Sequence, residues 1–308
     1  VQWEKLGRNL IERSVGMSSE ENYIFNMPEL PEVQTVVSQL GKKIVGKTVI
    51  RFWSDWRKRV LPSYSVFSRK AVGAQIQAVR RIGKHIVIDL DNGHSIVIHL
   101  KMTGHLLVKH TQNKDDAAFS DPINGYIHHI FTFSDKATLE FSDMRKFGWL
   151  RMVKTSDVEK VPSVALLGID ALSSLLNAVS FETLLSKRGQ QLIATVLLEQ
   201  NRIAGIGNIY RNEALFLAHI LPERKIETLS KEESRKLLMA IKKVLRKAVK
   251  LRGTTDGDFR DTDGLEGNFK RALYVYGRTG KPCKKCDTMI LRKKIGQRSV
   301  FYCPDCQK

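Results

Sequence analysis

Long apolar runs are missing from this 308-residue chain. None approaches the roughly 18 residues a membrane-crossing helix requires, which excludes a helical membrane anchor. An apolar signal-peptide core is missing too. Val1–Asn26 is charged and polar throughout, so the chain reads as cytosolic or nucleoid-associated, of bacterial type. Acidic residues are scarce: 32 Asp and Glu face 51 Lys and Arg, a formal net charge of +19. Such an excess calls for a polyanionic partner, nucleic acid before an anionic membrane surface. The basic residues are spread over several elements rather than one amphipathic helix, which argues against the membrane. Cysteine is as rare as any residue type here, matched only by tryptophan at four each. The four present lie between Cys283 and Cys306, which rules out a disulfide framework for the rest of the chain.

Those four follow C-x2-C-x16-C-x2-C: Cys283, Cys286, Cys303 and Cys306. Two close thiol pairs at this separation have the ligand spacing of a ribbon that holds one structural Zn2+, with a hairpin between the pairs. The segment Lys270–Lys308 is strongly basic with only two aspartates, which suits a hairpin that reads nucleic acid.

With 42% hydrophobic residues the chain can bury two cores. Val33, Val36, Val37, Leu40 and Ile44 form the stripe of an amphipathic helix, with Pro31 tolerated in its first turn. From Thr48 to Met152 the period becomes two. Ile86, Ile88 and Leu90, the turn Asp91-Asn92-Gly93, then Ile96, Ile98 and Leu100 predict a hairpin. Phe131 and Phe133 followed by Leu139 and Phe141 predict a second one, so this half is a mainly antiparallel sandwich. Helical spacing returns at Phe181, with Leu184, Leu185, Leu192, Ile193, Val196 and Leu197 on one face. Ser230 with Glu233 forms a capping box for another helix, whose stripe runs from Leu237 to Val249 and whose stop is Gly253. Glycine and aspartate crowd Gly253–Asn268, which predicts a mobile loop.

Three blocks then stand in order: Met27-Pro-Glu-Leu-Pro-Glu-Val33, Gly205-Ile-Gly-Asn-Ile-Tyr210, and Tyr276-Gly-Arg-Thr-Gly-Lys-Pro-Cys283 opening the thiol pattern. Together they resemble formamidopyrimidine-DNA glycosylases over Met27–Lys308. The resemblance implies an α+β multidomain chain. Its parts are an N-terminal extension at 1–26 outside the mature enzyme, a catalytic antiparallel β-sandwich with an N-terminal helix at 27–156, a helix–two-turn–helix domain at 157–270, and a zinc-finger β-hairpin at 271–308. It implies a monomer acting on double-stranded damaged DNA by flipping the damaged base out of the stack.

The chemistry follows from residue types. With Met27 removed, Pro28 is a secondary amine titrating near pH 8, against about 10.4 for lysine. Attack on the sugar C1′ expels the base and leaves an iminium, and elimination then cuts the strand. The resemblance makes Glu29 the general acid and base, Glu32 the acid that holds the proline end, and Lys84 a catalytic lysine. It places His99, Asn208 and Arg278 on phosphates, and Met102, Arg145 and Phe147 in the gap left by the flipped base. Lys101 and Met144 stand where relatives usually carry glycine and proline. Gln190 and Ala194 stand where they carry lysines, which implies weaker DNA affinity or altered lesion preference. Two other readings are an endonuclease VIII-like enzyme for oxidised pyrimidines and a catalytically silent binder of damaged DNA. Leu30 and the Met102/Arg145/Phe147 trio oppose the first; Glu29 and Lys84 oppose the second.

Overall fold

The computed structural model describes residues 27–308 other than 111, 114, 115 and 256. Val1–Asn26, expected to stand apart from the mature enzyme, lies outside the described residues. The first helix, α1 (Leu30–Lys43), begins where the Glu32 carboxylate accepts the Glu29 N–H at 2.8 Å. Pro31 sits in the first turn, where a missing N–H costs nothing. Lys42 and Lys43 close the last turn, favourably for the helix dipole. The stripe Val33, Val36, Val37, Leu40 and Ile44 is buried, as its period requires.

Nine strands follow: β1 (Val49–Ser54), β2 (Val60–Leu61), β3 (Ile76–Ile82), β4 (His85–Leu90), β5 (His94–His99), β6 (His105–Lys109), β7 (Ile127–Phe133), β8 (Thr138–Ser142) and β9 (Trp149–Lys154). They form a four-stranded sheet in the order β1-β7-β8-β6 and a five-stranded sheet in the order β2-β9-β5-β4-β3. Every pairing is antiparallel except the short β2–β9 contact. Both expected hairpins occur, with Ile88 opposite Ile96 and Phe131 opposite Leu139. Phe52, Phe131 and Phe141 from one sheet and Ile86, Ile98 and Leu150 from the other share a core with α1. Val87 and Val97 point to the opposite face of the five-stranded sheet. There Val158, Val161 and Val164 cover them, which explains why β4 and β5 are apolar on both sides.

The second half is helical: α2 (Ala178–Ser186), α3 (Ile193–Val196), α4 (Asn208–Leu217) and α5 (Lys231–Lys250). The single face read from Phe181 to Leu197 is in fact carried by two helices. Between them Gly189, Gln191 and Ile193 pair their backbones with Glu227, Ile226 and Arg224, so the hydrogen bonds leave the helix for a neighbouring segment. The Ser230–Glu233 capping box is present on α5. A last hairpin, β10 (Leu291–Ile295) with β11 (Arg298–Tyr302), ends the chain. Its Val300, Phe301 and Cys303 belong to the same core as the helices, so the hairpin is fused to the helical half rather than tethered to it.

Gly253–Asn268 differs from the mobile loop expected. Asp261 and Thr262 are fully buried. The Asp261 carboxylate accepts from Gln39 at 3.1 Å and Arg252 at 2.7 Å, and Lys43 donates to Thr262 at 2.7 Å. The Thr262 carbonyl accepts the Val108 N–H at 2.9 Å. Asp261, one of the aspartates that suggested solvation, is a buried hydrogen-bond acceptor.

Candidate active site and nucleic-acid interface

The site forms where the start of α1 meets the turn before α4. Leu30 N–H donates to the Gly205 carbonyl at 3.1 Å, bringing the two segments edge to edge. Gly205 has φ +105°, and a Cβ there would lie 2.5 Å from a Leu30 methyl carbon. At Gly207 a Cβ would sit 2.2 Å from the Glu29 carboxyl carbon. Both glycines therefore let the chain approach closely, and Gly207 leaves the space that the Glu29 carboxyl fills.

Glu29 is buried, and its Oε1 accepts the Ile209 N–H at 2.9 Å at the start of α4. Its Oε2 is buried with no hydrogen-bond partner among the described residues. Burial pushes the Glu29 carboxyl up to about 7, against the opposing pull of the nearby Lys84 ammonium. Glu32 is buried beside it, with one oxygen accepting from the Tyr210 hydroxyl and from Thr254 N–H at 2.7 Å. Its pKa is also raised by burial, an effect those hydrogen bonds oppose. Lys84 donates to the Ile206 carbonyl at 3.1 Å; burial lowers its pKa while Glu29 and Glu32 raise it.

Met27, Glu29, Lys84, Leu198, Gln200, Asn208 and Arg298 line one cavity of about 250 Å³. Pro28 lies buried between Met27 and Glu29. The fold thus brings together Pro28, Glu29, Glu32, Lys84 and Asn208, five residues scattered across 180 positions. Arg298 is the residue that sequence reasoning missed. Arg278, expected on phosphate, does not line this cavity. Its guanidinium donates to the Tyr274 and Pro282 carbonyls at 2.6 and 2.8 Å, bracing the approach to the hairpin. Only the hairpin register could have found Arg298, since it opens β11 and so faces the start of α4.

His99 ends β5, and its Nδ1 accepts the Lys101 N–H at 2.9 Å. Its pKa is well below the ordinary value, first through burial and then through His85 and the nearby lysines. It is neutral, with its proton on Nε2. Lys101 has φ +57°, the left-handed conformation that glycine adopts most readily. Met102, Arg145 and Phe147 form one cluster. Arg145 contacts the Met102 sulfur at 3.4 Å and lies over the Phe147 ring at 4.8 Å. Asp143 orders their loop by accepting from Thr103 and from Gly148 N–H at 2.7 Å.

The sulfurs of Cys283, Cys286, Cys303 and Cys306 lie within 4.8 Å of one another. Neighbouring sulfurs are 3.3–3.9 Å apart, too far for disulfides and near the roughly 3.8 Å edge of a tetrahedral zinc–thiolate site. The four thiols fit a zinc ion with no ligand position left open, so the metal fastens the hairpin rather than activating water. Of the two positions lacking a lysine, Gln190 is exposed and bonded to Glu227 and Lys225. Ala194 is fully buried, and its carbonyl accepts from Arg211 at 3.0 Å.

A β-sandwich and a helical half thus meet at a buried carboxyl, lysine and asparagine, with a four-thiolate hairpin alongside. That combination defines a protein built to act on a polyanionic chain. Three family profiles match: the formamidopyrimidine-DNA glycosylase N-terminal domain over residues 27–150, the formamidopyrimidine-DNA glycosylase H2TH domain over 167–259, and the zinc finger found in FPG and IleRS over 280–308. The formamidopyrimidine-DNA glycosylase of Pelotomaculum thermopropionicum is 38% identical over 283 residues, 92% of this chain and 99% of that one. Lactococcus lactis Fpg, solved in complex with DNA containing an abasic site, superposes with a TM-score of 0.81 at 31% identity, over 91% of this chain and 99% of that one. MutM, solved with DNA containing carbocyclic 8-oxo-G, gives 0.80 at 31% identity, over 91% and 100%. The chain belongs to the formamidopyrimidine-DNA glycosylase family. Among the described residues no helix is long and apolar enough to cross a membrane.

Proposed function

We infer that the protein excises oxidised purines, 8-oxoguanine and formamidopyrimidines, from duplex DNA and then cleaves the strand, working as a monomer on chromosomal DNA in the cytoplasm. The carrying observation is the buried Glu29 carboxyl beside Pro28, in a cavity that also presents Lys84, Asn208 and Arg298. A carboxyl held up to about 7 keeps a proton to give at neutral pH.

The nucleophile is Pro28 as the first residue of the working chain, which places the start at Met27, where the family match begins. Its nitrogen attacks C1′ and the bond from C1′ to the base breaks. The amine's one proton passes to the departing base, and Glu29 then gives a proton to the sugar ring oxygen as the C1′–O4′ bond breaks and the iminium forms. Loss of a C2′ proton expels the 3′ phosphate, and a second elimination expels the 5′ phosphate. Asn208 and Arg298 are donors suited to phosphate oxygens, and neutral His99 offers an Nε2 proton. The base must leave the stack first. Met102, Arg145 and Phe147 suit the vacated space as gap filler, hydrogen-bond donor and wedge.

In a chain starting at Met27, Pro28→Gly should abolish most release of 8-oxoguanine and most nicking while leaving binding of the damaged duplex measurable. Normal turnover by that variant would remove Pro28 from the mechanism. Binding without turnover by the parent Met27-start chain would leave a silent damage binder.

A further inference from the structure

Among the described residues Arg211 is the largest fully buried side chain, only 1% exposed. A buried guanidinium ordinarily has a carboxylate partner. Arg211 instead donates to three neutral oxygens: Ala194 O at 3.0 Å, Asn208 Oδ1 at 2.5 Å and Ser299 O at 3.0 Å. Its Nε has no partner among the described residues. Burial lowers its pKa only to about 10, so it remains a cation at neutral pH.

Asn208 lines the catalytic cavity, and Ser299 follows Arg298, which lines it too. An arginine carries donors and no acceptor, so the Asn208 atom that faces it can only be the carbonyl oxygen. The Asn208 amide is thereby turned away from Arg211, with its two hydrogens free to donate. The third bond fixes the backbone of β11 next to Arg298. One side chain therefore orients two of the cavity's donors.

We propose that Arg211 is a positioning residue that locks Asn208 and the Arg298 strand for binding a DNA phosphate, its buried charge adding to the local positive field. This rests on reading the cavity as the DNA-backbone site. It also bears on Ala194: the positive group missing at that position is supplied from α4, by a guanidinium bonded to the Ala194 carbonyl.

The test is a double-mutant cycle on the full chain, with a duplex carrying a tetrahydrofuran abasic analogue as probe. Arg211→Met and Asn208→Ala should each weaken binding about tenfold. The double variant should lose clearly less than the product of the two single losses, because an unoriented amide has little left to lose, while the loss through Arg298 and the local field persists. A merely structural arginine would lower the melting temperature and give additive losses. Additive losses, or unchanged binding by Arg211→Met, overturn the proposal. Should Arg211→Met fail to fold, Arg211→Gln, which keeps one donor and loses the charge, is put through the same cycle with the same expectation. If the parent protein shows no preference for the tetrahydrofuran duplex over an undamaged one, the reading of the cavity falls and takes the proposal with it.

Discussion

Glu29 is poised by competition at the scale of a single carboxyl. Burial disfavours its charge, Lys84 and two backbone N–H groups favour it, and burial prevails. Its proton is present below about pH 7 and lost above it, so single-turnover excision should fall as pH rises through 7. The Pro28 amine acts in the opposite sense, gaining reactivity as it loses its proton near pH 8. Glu29→Gln should therefore be slow and lose the falling limb, leaving a rate that only rises with pH; an unchanged profile would take Glu29 out of proton transfer. A second residue-scale expectation concerns Lys101 at φ +57°. Lys101→Gly should stabilise the fold by about 1 kcal/mol, read from chemical denaturation, because glycine adopts that conformation without strain. Pro28, Glu29, Glu32, Lys84 and Asn208 were legible because each lies in or beside a motif. Arg298 was not, since it is one basic residue among many in Lys270–Lys308 and only hairpin pairing turns it toward the cavity.

At the scale of elements, the start of α4 works through consecutive residues. Arg211 holds Ser299, and Asn212 accepts the Phe301 N–H at 2.9 Å. The Glu213 carboxylate accepts from the N–H groups of Tyr274, Val275 and Tyr276 at 2.8–2.9 Å. The same helix start thus supports the cavity and seats the zinc hairpin. Cys303→Ser should release zinc and loosen β11, moving Arg298 and weakening binding to damaged duplex; full zinc content by atomic absorption would overturn the four-thiolate assignment. The 253–268 segment behaves likewise. Asp261→Ala removes acceptors from Gln39, Arg252 and two backbone N–H groups and should destabilise by about 2–3 kcal/mol in denaturant unfolding. Strands and hairpins were readable because alternation is local. The helix break before Ile193 and the pinning of Asp261 were not, because both depend on partners distant in sequence.

Over the whole molecule, two halves are fastened at one seam. The Arg81 guanidinium on β3 pairs with Asp170 across it, and α1 contributes Leu30 to the helical core while Val33 and its stripe enter the sandwich core. The groups proposed to be catalytic lie on that seam, so neither half alone contains the candidate site. The charge of +19 belongs to this scale as well. If several cations replace phosphate counterions, log K against log salt should fall with a slope of about −4 or steeper, and a flat dependence would contradict backbone-phosphate binding. The central claim, an amine at Pro28 forming an iminium with the sugar, is met most directly by borohydride trapping on an 8-oxoguanine:cytosine duplex. The chain starting at Met27 is compared with the full 308-residue chain. A covalent protein–DNA adduct with the Met27-start chain, after removal of Met27, and none with the uncleaved full chain is the result expected. No adduct with either, or an equal one with a full chain in which Pro28 remains in a peptide bond, would contradict it.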